Sequence, residues 1–251
     1  MTVAYVPARD PMSKVRRRLT QWRASRPANL AFGGPILSIS FDDFPASAAE
    51  TGAAILESHG ARGTYYAAAG LANTEGPSGR NYAPAHIARL ASAGHEIGCH
   101  SFGHDDAAQR NVFDTLQDIA KNRDALAAFG ARSPRTHAYP YGETTNRLKD
   151  GLPPRFTSAR GILPGMNVGQ VDLAQLHAYP LFGDNWLRAM QSTLKRAAKR
   201  NAWVIGFTHD VSDAPSAWGT RSNDLDALLS CARTLGFTIL PVSAALERRL
   251  P

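Results

Sequence analysis

Two cysteines, Cys99 and Cys231, are all that 251 residues contain, and they share no spacing typical of a disulfide or a cysteine-built metal knot. A cross-linked scaffold is therefore excluded, and both thiols are expected to sit buried in regular elements. No apolar stretch approaches the ~20 residues that span a bilayer, and the N-terminus lacks the apolar core of a signal peptide. A cytoplasmic protein is the expectation. Internal repeats, low-complexity tracts and a dividing linker are missing as well, which leaves one large domain over 31–251. Carboxylates are outnumbered, 21 Asp and Glu against 28 Lys and Arg, for a formal charge of +7. Much of that excess is local. Lys14, Arg16, Arg17, Arg18, Arg23 and Arg26 surround Leu19 and Trp22, so residues 1–30 read as a basic arm or helix. Such a segment either lies on the anionic inner membrane face or stays solvated. No nucleic-acid-binding motif accompanies the charge, and no nucleic-acid partner is expected.

What the chain does contain is a set of apolar runs that end on chemistry. Residues 35–43, Pro-Ile-Leu-Ser-Ile-Ser-Phe-Asp-Asp, have the length and β-branched content of a buried strand and stop on adjacent carboxylates, Asp42 and Asp43. Neighbours on a strand point to opposite sides, so the two acids can divide their work: one grips a cation, the other handles a proton. Residues 94–104 read as a short strand running into a turn, with His100 and His104 spaced to share one metal on the same side of a helical turn. Two histidines and a carboxylate make a facial triad, for which zinc is the first choice and Fe(II), Co(II) or Ni(II) fit the same ligands. A third apolar run, 202–208, leads into His209, and 135–142 closes in a Tyr139-Pro140-Tyr141-Gly142 turn that can aim a backbone N–H at an oxyanion.

Strands are expected near 35–43, 63–69, 135–139, 156–162, 175–181, 202–209 and 237–242. Helices are expected over 45–60, 84–94, 105–130, 184–201 and 222–236, with a loop at 70–83 by the mouth of the site. Strands alternating with helices call for a parallel sheet, closed or open. The carboxyl ends of such strands line one site, where Asp42, Asp43, His100 and His209 can converge.

In this order the motifs resemble those of the polysaccharide deacetylases, carbohydrate esterases with a nodulation-protein-B-like domain. Ser40-Phe41-Asp42-Asp43 is similar to the family's Thr-Phe-Asp-Asp, and residues 100–104 fit its His-Ser/Thr-x-x-His; 139–142 and Phe207-Thr208-His209 resemble two later motifs. The resemblance implies a distorted (β/α) barrel of about seven strands. It implies hydrolysis of N-acetyl groups on amino sugars, with Asp42 as base, Asp43, His100 and His104 as ligands of a divalent metal, His209 as acid and the Tyr141 N–H at the oxyanion. Tyr139 and Phe207 fall on the substrate side. The implied substrate is an acetylated amino-sugar polymer or a lipid-linked oligosaccharide precursor, as in the exopolysaccharide or holdfast deacetylases. Two departures stand out. Ala138 occupies the place of an Arg that pairs with the base, and Phe207 that of a Leu in the acetyl pocket; the fourth motif has no clean match. Arg160, at the end of the next expected strand, is positioned to replace the missing Arg. The altered pocket also admits another amide, a formamido sugar or small cyclic ureide, and the lost motif a catalytically silent sugar-binding protein.

Overall fold

Ile36–Asp42 (β1) is buried at every position, which explains why its apolar residues form a run instead of alternating: a parallel strand covered on both faces has no solvent side. The computed structural model describes residues 10–250. Around β1 stand Thr64–Ala67 (β2), Glu96–Cys99 (β3), Thr136–Ala138 (β4), Ser158–Arg160 (β5), Tyr179–Pro180 (β6), Trp203–Thr208 (β7) and Thr238–Ile239 (β8). Their order is β6-β7-β1-β2-β3-β4-β5, every pair parallel, with β8 also on β1. Leu176 bonds to Ala159 and Gly161 around β5, while Tyr179 and Pro180, three and four residues later, pair with Gly206 and Phe207 of β7. That short segment closes the ring into a distorted (β/α) barrel. The distortion is visible on β1, whose one edge follows β7 throughout while its other edge is shared, Ile36 and Leu37 with β8 and Ser40–Asp42 with β2.

Helices cover the outside: Pro11–Trp22 (α1), Ala53–Ser58 (α2), Pro84–Ser92 (α3), Val112–Ala128 (α4), Asn146–Gly151 (α5), Trp186–Ala198 (α6), Ser222–Thr234 (α7) and Val242–Glu247 (α8). The helix expected from residue 105 begins seven residues later, because the Asn111 side chain accepts from Asp114 N and caps it there. The helix expected from 45 starts as a π-helical turn, Ala48–Gly52, before α2. The strand expected over 237–242 is two residues long and turns into α8. That helix has no local cap: Val242 N donates to Thr64 Oγ1 at 2.9 Å and Ser243 N to Glu96 Oε2 at 2.9 Å. Its start is fixed by side chains on β2 and β3, which no local signal reveals. Of the two thiols, Cys99 is buried and Cys231 is only partly so; both are free.

Residues 10–30 are docked on the barrel. Lys149 is fully buried, and its ammonium donates to Thr20 O (2.7 Å) and Arg23 O (2.6 Å) at the end of α1, to Gln175 Oε1 (3.1 Å), and pairs with Asp172 (2.8 Å). A buried charge persists only when saturated in this way. Pro27–Leu30 then pairs antiparallel with Gly169–Asp172. Residues 1–9 of the expected arm lie outside the described residues.

His137, on β4, is 1% exposed and its Nδ1 has no hydrogen-bond partner. Burial, then the nearby His100 and Arg160, push its pKa down to about 3 from an ordinary 6.5. The folded state thus holds it neutral while the unfolded chain takes up a proton below about pH 6.5. Stability from this source is complete above that pH and is lost progressively as the pH falls toward 3. Urea titrations at pH 7 and pH 5 should show the loss of stability between them shrinking by about 2 kcal/mol in His137→Phe; an unchanged difference would rule out a buried neutral His137.

Candidate active site

The buried end of β1 meets a cation from across the barrel. Arg160, the last residue of β5, is 1% exposed and its Nη2 donates to Asp42 Oδ1; Asp42 is 5% exposed. Its guanidinium carbon lies 4.9 Å from the Tyr66 ring and 5.2 Å from the Phe207 ring, and Nη1 donates to Gly161 O at 3.0 Å. Burial alone would raise the Asp42 carboxyl. Arg160, followed by His100 and His209, overcomes that and holds it below the usual carboxylate range. The side chain of Ala138 is buried on β4, and its carbonyl accepts from His100 Nδ1 at 2.8 Å. That bond leaves His100 Nε2 with its lone pair outward.

Asp43 departs from the simple strand rule. It lies beyond β1 with φ +30, so the alternation that would send its side chain away from Asp42 has ended. Its Oδ1 stands 3.9 Å from His100 Nε2, 3.8 Å from His104 Nε2 and 3.4 Å from His209 Nε2. The histidine pair does not sit on a helical turn, as its spacing suggests. Residues 100–104 are irregular, with Ser101 at φ +61 and His104 at φ +56, and this reversal brings the two rings to 4.8 Å between centroids. Burial, then His104, pushes the His100 pKa down to about 4, keeping the imidazole in its neutral, ligating form. The donor atoms of Asp43, His100 and His104 all lie within 4.8 Å of one another, the one such cluster of His, Cys and carboxylates among the described residues. Two imidazoles and a carboxylate fit a divalent cation with positions left open.

His209 follows β7. Its Nδ1 donates to Trp218 O at 3.1 Å, which directs Nε2 toward Asp43. The loop that carries Trp218 is folded around Asp210, which accepts from Ser216 N at 2.9 Å and from the Ser216 hydroxyl at 2.5 Å. Tyr141 occupies the left-handed region at φ +58, followed by Gly142 at φ +70, and its ring lies 4.6 Å from that of His104. At Gly142 a Cβ would come 2.3 Å from Ile162 Cγ1, so the turn admits only glycine there.

Six expected site positions thus converge on one mouth: Asp42, Asp43, His100, His104, His209 and Tyr141, with Arg160 and Phe207 beneath them. Tyr139 does not join them. It is 1% exposed, its hydroxyl donates to Ala174 O at 2.8 Å, and its ring packs on His137 in the outer core, so its side chain is removed from substrate. Phe182, whose ring is 5.9 Å from that of His209 and 5.5 Å from that of Phe207, escaped the sequence reading. The only signal for it is its place after the short strand β6.

Comparison with curated protein sequences finds no match. Among solved structures, the chain is similar to a family 4 carbohydrate esterase from Streptomyces lividans in complex with acetate, at 19% identity and TM-score 0.58, covering 88% of this chain and 98% of that one. It is also similar to a family 4 acetyl xylan esterase from Clostridium thermocellum in complex with a cobalt ion (18%, TM-score 0.60, 84% and 90%) and to the peptidoglycan deacetylase PdaC from Bacillus subtilis (18%, TM-score 0.55, 86% and 91%). These likenesses establish the fold. The family model described as polysaccharide deacetylase matches residues 30–152, a span that holds Asp42, Asp43, His100, His104 and Tyr141. Over that span, just under half of the chain, the sequence is similar to the polysaccharide deacetylase family.

Proposed function

We propose that the protein is a divalent-metal-dependent hydrolase that removes N-acetyl groups from the amino sugars of a polysaccharide or its precursor. The observation that carries this reading is the convergence of an ionised carboxylate (Asp42), a three-ligand cluster and a histidine Nε2 on one mouth. A cation, zinc by preference, held by Asp43, His100 and His104 would supply Lewis acidity toward the acetamide carbonyl and acidify a water. Asp42 accepts a proton from the water that adds to the acetamide carbonyl carbon; its Oδ1 is engaged by Arg160, so Oδ2 remains for the transfer. The Tyr141 N–H, held in its left-handed turn, donates to the oxyanion. His209, anchored through Nδ1, delivers a proton from Nε2 to the departing amine. Phe207 and Phe182 form the apolar wall at the acyl end.

The substrate in this reading is a precursor presented at a membrane surface, in exopolysaccharide synthesis. Its support is α1, where Met12 (78% exposed), Val15, Leu19 and Trp22 (79%) are all solvent-exposed and Arg16 and Arg18 are exposed beside them. Apolar and basic side chains together suit anionic lipid.

Three measurements test this reading. Acetate release from acetylated amino-sugar oligomers should fall at least 100-fold in Asp42→Asn; undiminished release removes Asp42 as the base, and formate release from formylated oligomers with no acetate from acetylated ones moves the specificity to a formamido substrate. In Arg160→Lys, charge survives but the planar two-donor geometry does not, so kcat/KM should fall about tenfold or more, and further in Arg160→Ala. Without the guanidinium, burial acts on Asp42 against only His100 and His209, and the acidic limb of the rate profile moves to higher pH; wild-type rates with an unmoved limb in both variants would exclude the pairing role. Sedimentation with phosphatidylglycerol vesicles should exceed that with phosphatidylcholine, and should weaken in Trp22→Ser; equal sedimentation with both lipids would discard membrane contact.

A further inference from the structure

Two backbone N–H groups inside the histidine turn end on a single carboxylate. Asp118, on α4, accepts from Phe102 N at 2.6 Å and from Gly103 N at 3.3 Å, and its side chain is only 13% exposed. Phe102 and Gly103 are two of the three residues that separate His100 from His104. Four residues along the same helix, Asn122 is fully buried; it accepts from Ala69 N at 2.8 Å and donates to Ala67 O at 2.9 Å and Cys99 Sγ at 3.2 Å. Positions i and i+4 share a helix face, so one face of α4 grips the chain where it leaves β2 and where it leaves β3. A Cβ on Gly103 would meet the Asp105 carboxylate at 2.8 Å and stand at ordinary contact distance, 3.5 Å, from Asp118 Oδ1.

The turn needs such a hold. Ser101 and His104 both adopt the left-handed backbone conformation, which is unfavourable for an L-residue. Left alone, the segment would relax and carry His104 away from His100. Hydrogen bonds to a carboxylate are about twice as strong as neutral ones, and two of them oppose that relaxation.

We propose that Asp118 is a positioning residue for the cation site: by clamping the N–H groups of Phe102 and Gly103 it holds the His104 imidazole at the separation from His100 and Asp43 that one cation requires. The inference rests on the reading that Asp43, His100 and His104 hold a divalent cation, and it adds a residue outside every motif of the sequence. Outer-shell groups of this kind change metal affinity by about 10–100-fold.

The test needs no substrate. Co(II) affinity of the full chain is measured by chelator competition, together with the visible absorption of the bound ion, for wild type, Asp118→Asn and Asp118→Ala. The near-isosteric Asn offers one neutral acceptor where two charge-assisted bonds stood, and should weaken Co(II) binding about tenfold and alter its spectrum, while the metal-free melting temperature stays near that of the wild type. Ala should weaken binding further. Wild-type affinity in folded Asp118→Asn overturns the proposal, as does a lowered metal-free melting temperature with unchanged affinity, which would make Asp118 structural only. Should Asp118→Ala fail to fold, Asp118→Asn decides. A wild-type chain that binds no Co(II) removes the cation reading itself and this proposal with it; unchanged affinity in the variant removes this proposal alone.

Discussion

The buried pair of Asp42 and Arg160 is the contact on which the site depends. A carboxylate 5% exposed at the end of a wholly buried strand is unstable as an anion unless a cation meets it. The cation arrives from β5, so the ionisation of Asp42 is a property of the closed ring and cannot arise within β1 and its neighbours. Tyr66 and Phe207 enclose the guanidinium, and their rings exclude water that would otherwise weaken the pairing.

This arrangement explains how a chain with Ala138 in place of the expected Arg remains consistent. The guanidinium that meets Asp42 stands on β5, and β4 and β5 are adjacent with Ala138 paired directly opposite Arg160. A side chain as long as Arg, held at the same level of the barrel, reaches the same carboxylate. Ala138 keeps a part in the site through its carbonyl, which orients His100. The family-model match ends at residue 152, before Arg160, Phe207 and His209, so the proposed acid and the partner of the proposed base both lie in the part of the chain that the model does not reach.

What was legible in the sequence was legible because it is local. The run into Asp42 and the run into His209 carry their own strand signal, and strand ends in a parallel barrel converge, so the two motifs could be placed together before any coordinates. Spacing misled where the backbone turns left-handed. His100 and His104 suggest a helix by their interval, yet φ angles of +61 and +56 produce the approach by a different path, and Asp43 escapes strand alternation by the same means. Tyr139 was drawn toward the site by its motif and removed from it by burial. α8 and Asp118 were invisible because their partners are distant in sequence: Thr64 and Glu96 for one, Phe102 and Gly103 for the other.

The two ends of the barrel are built on opposite terms. At the bottom, Glu96 links Thr64, Thr136 and the start of α8 through hydrogen bonds of ordinary geometry. At the mouth, Asp43, Ser101, His104 and Tyr141 all take positive φ without being glycine, at a combined cost on the order of 4 kcal/mol or more. Against a net stability of about 5–15 kcal/mol for a whole domain, that is a large debit concentrated in a few loops. The strain is borne at the mouth and not at the floor, and over residues 100–104 it is held down by the Asp118 carboxylate. The barrel is a floor at rest beneath a rim under tension.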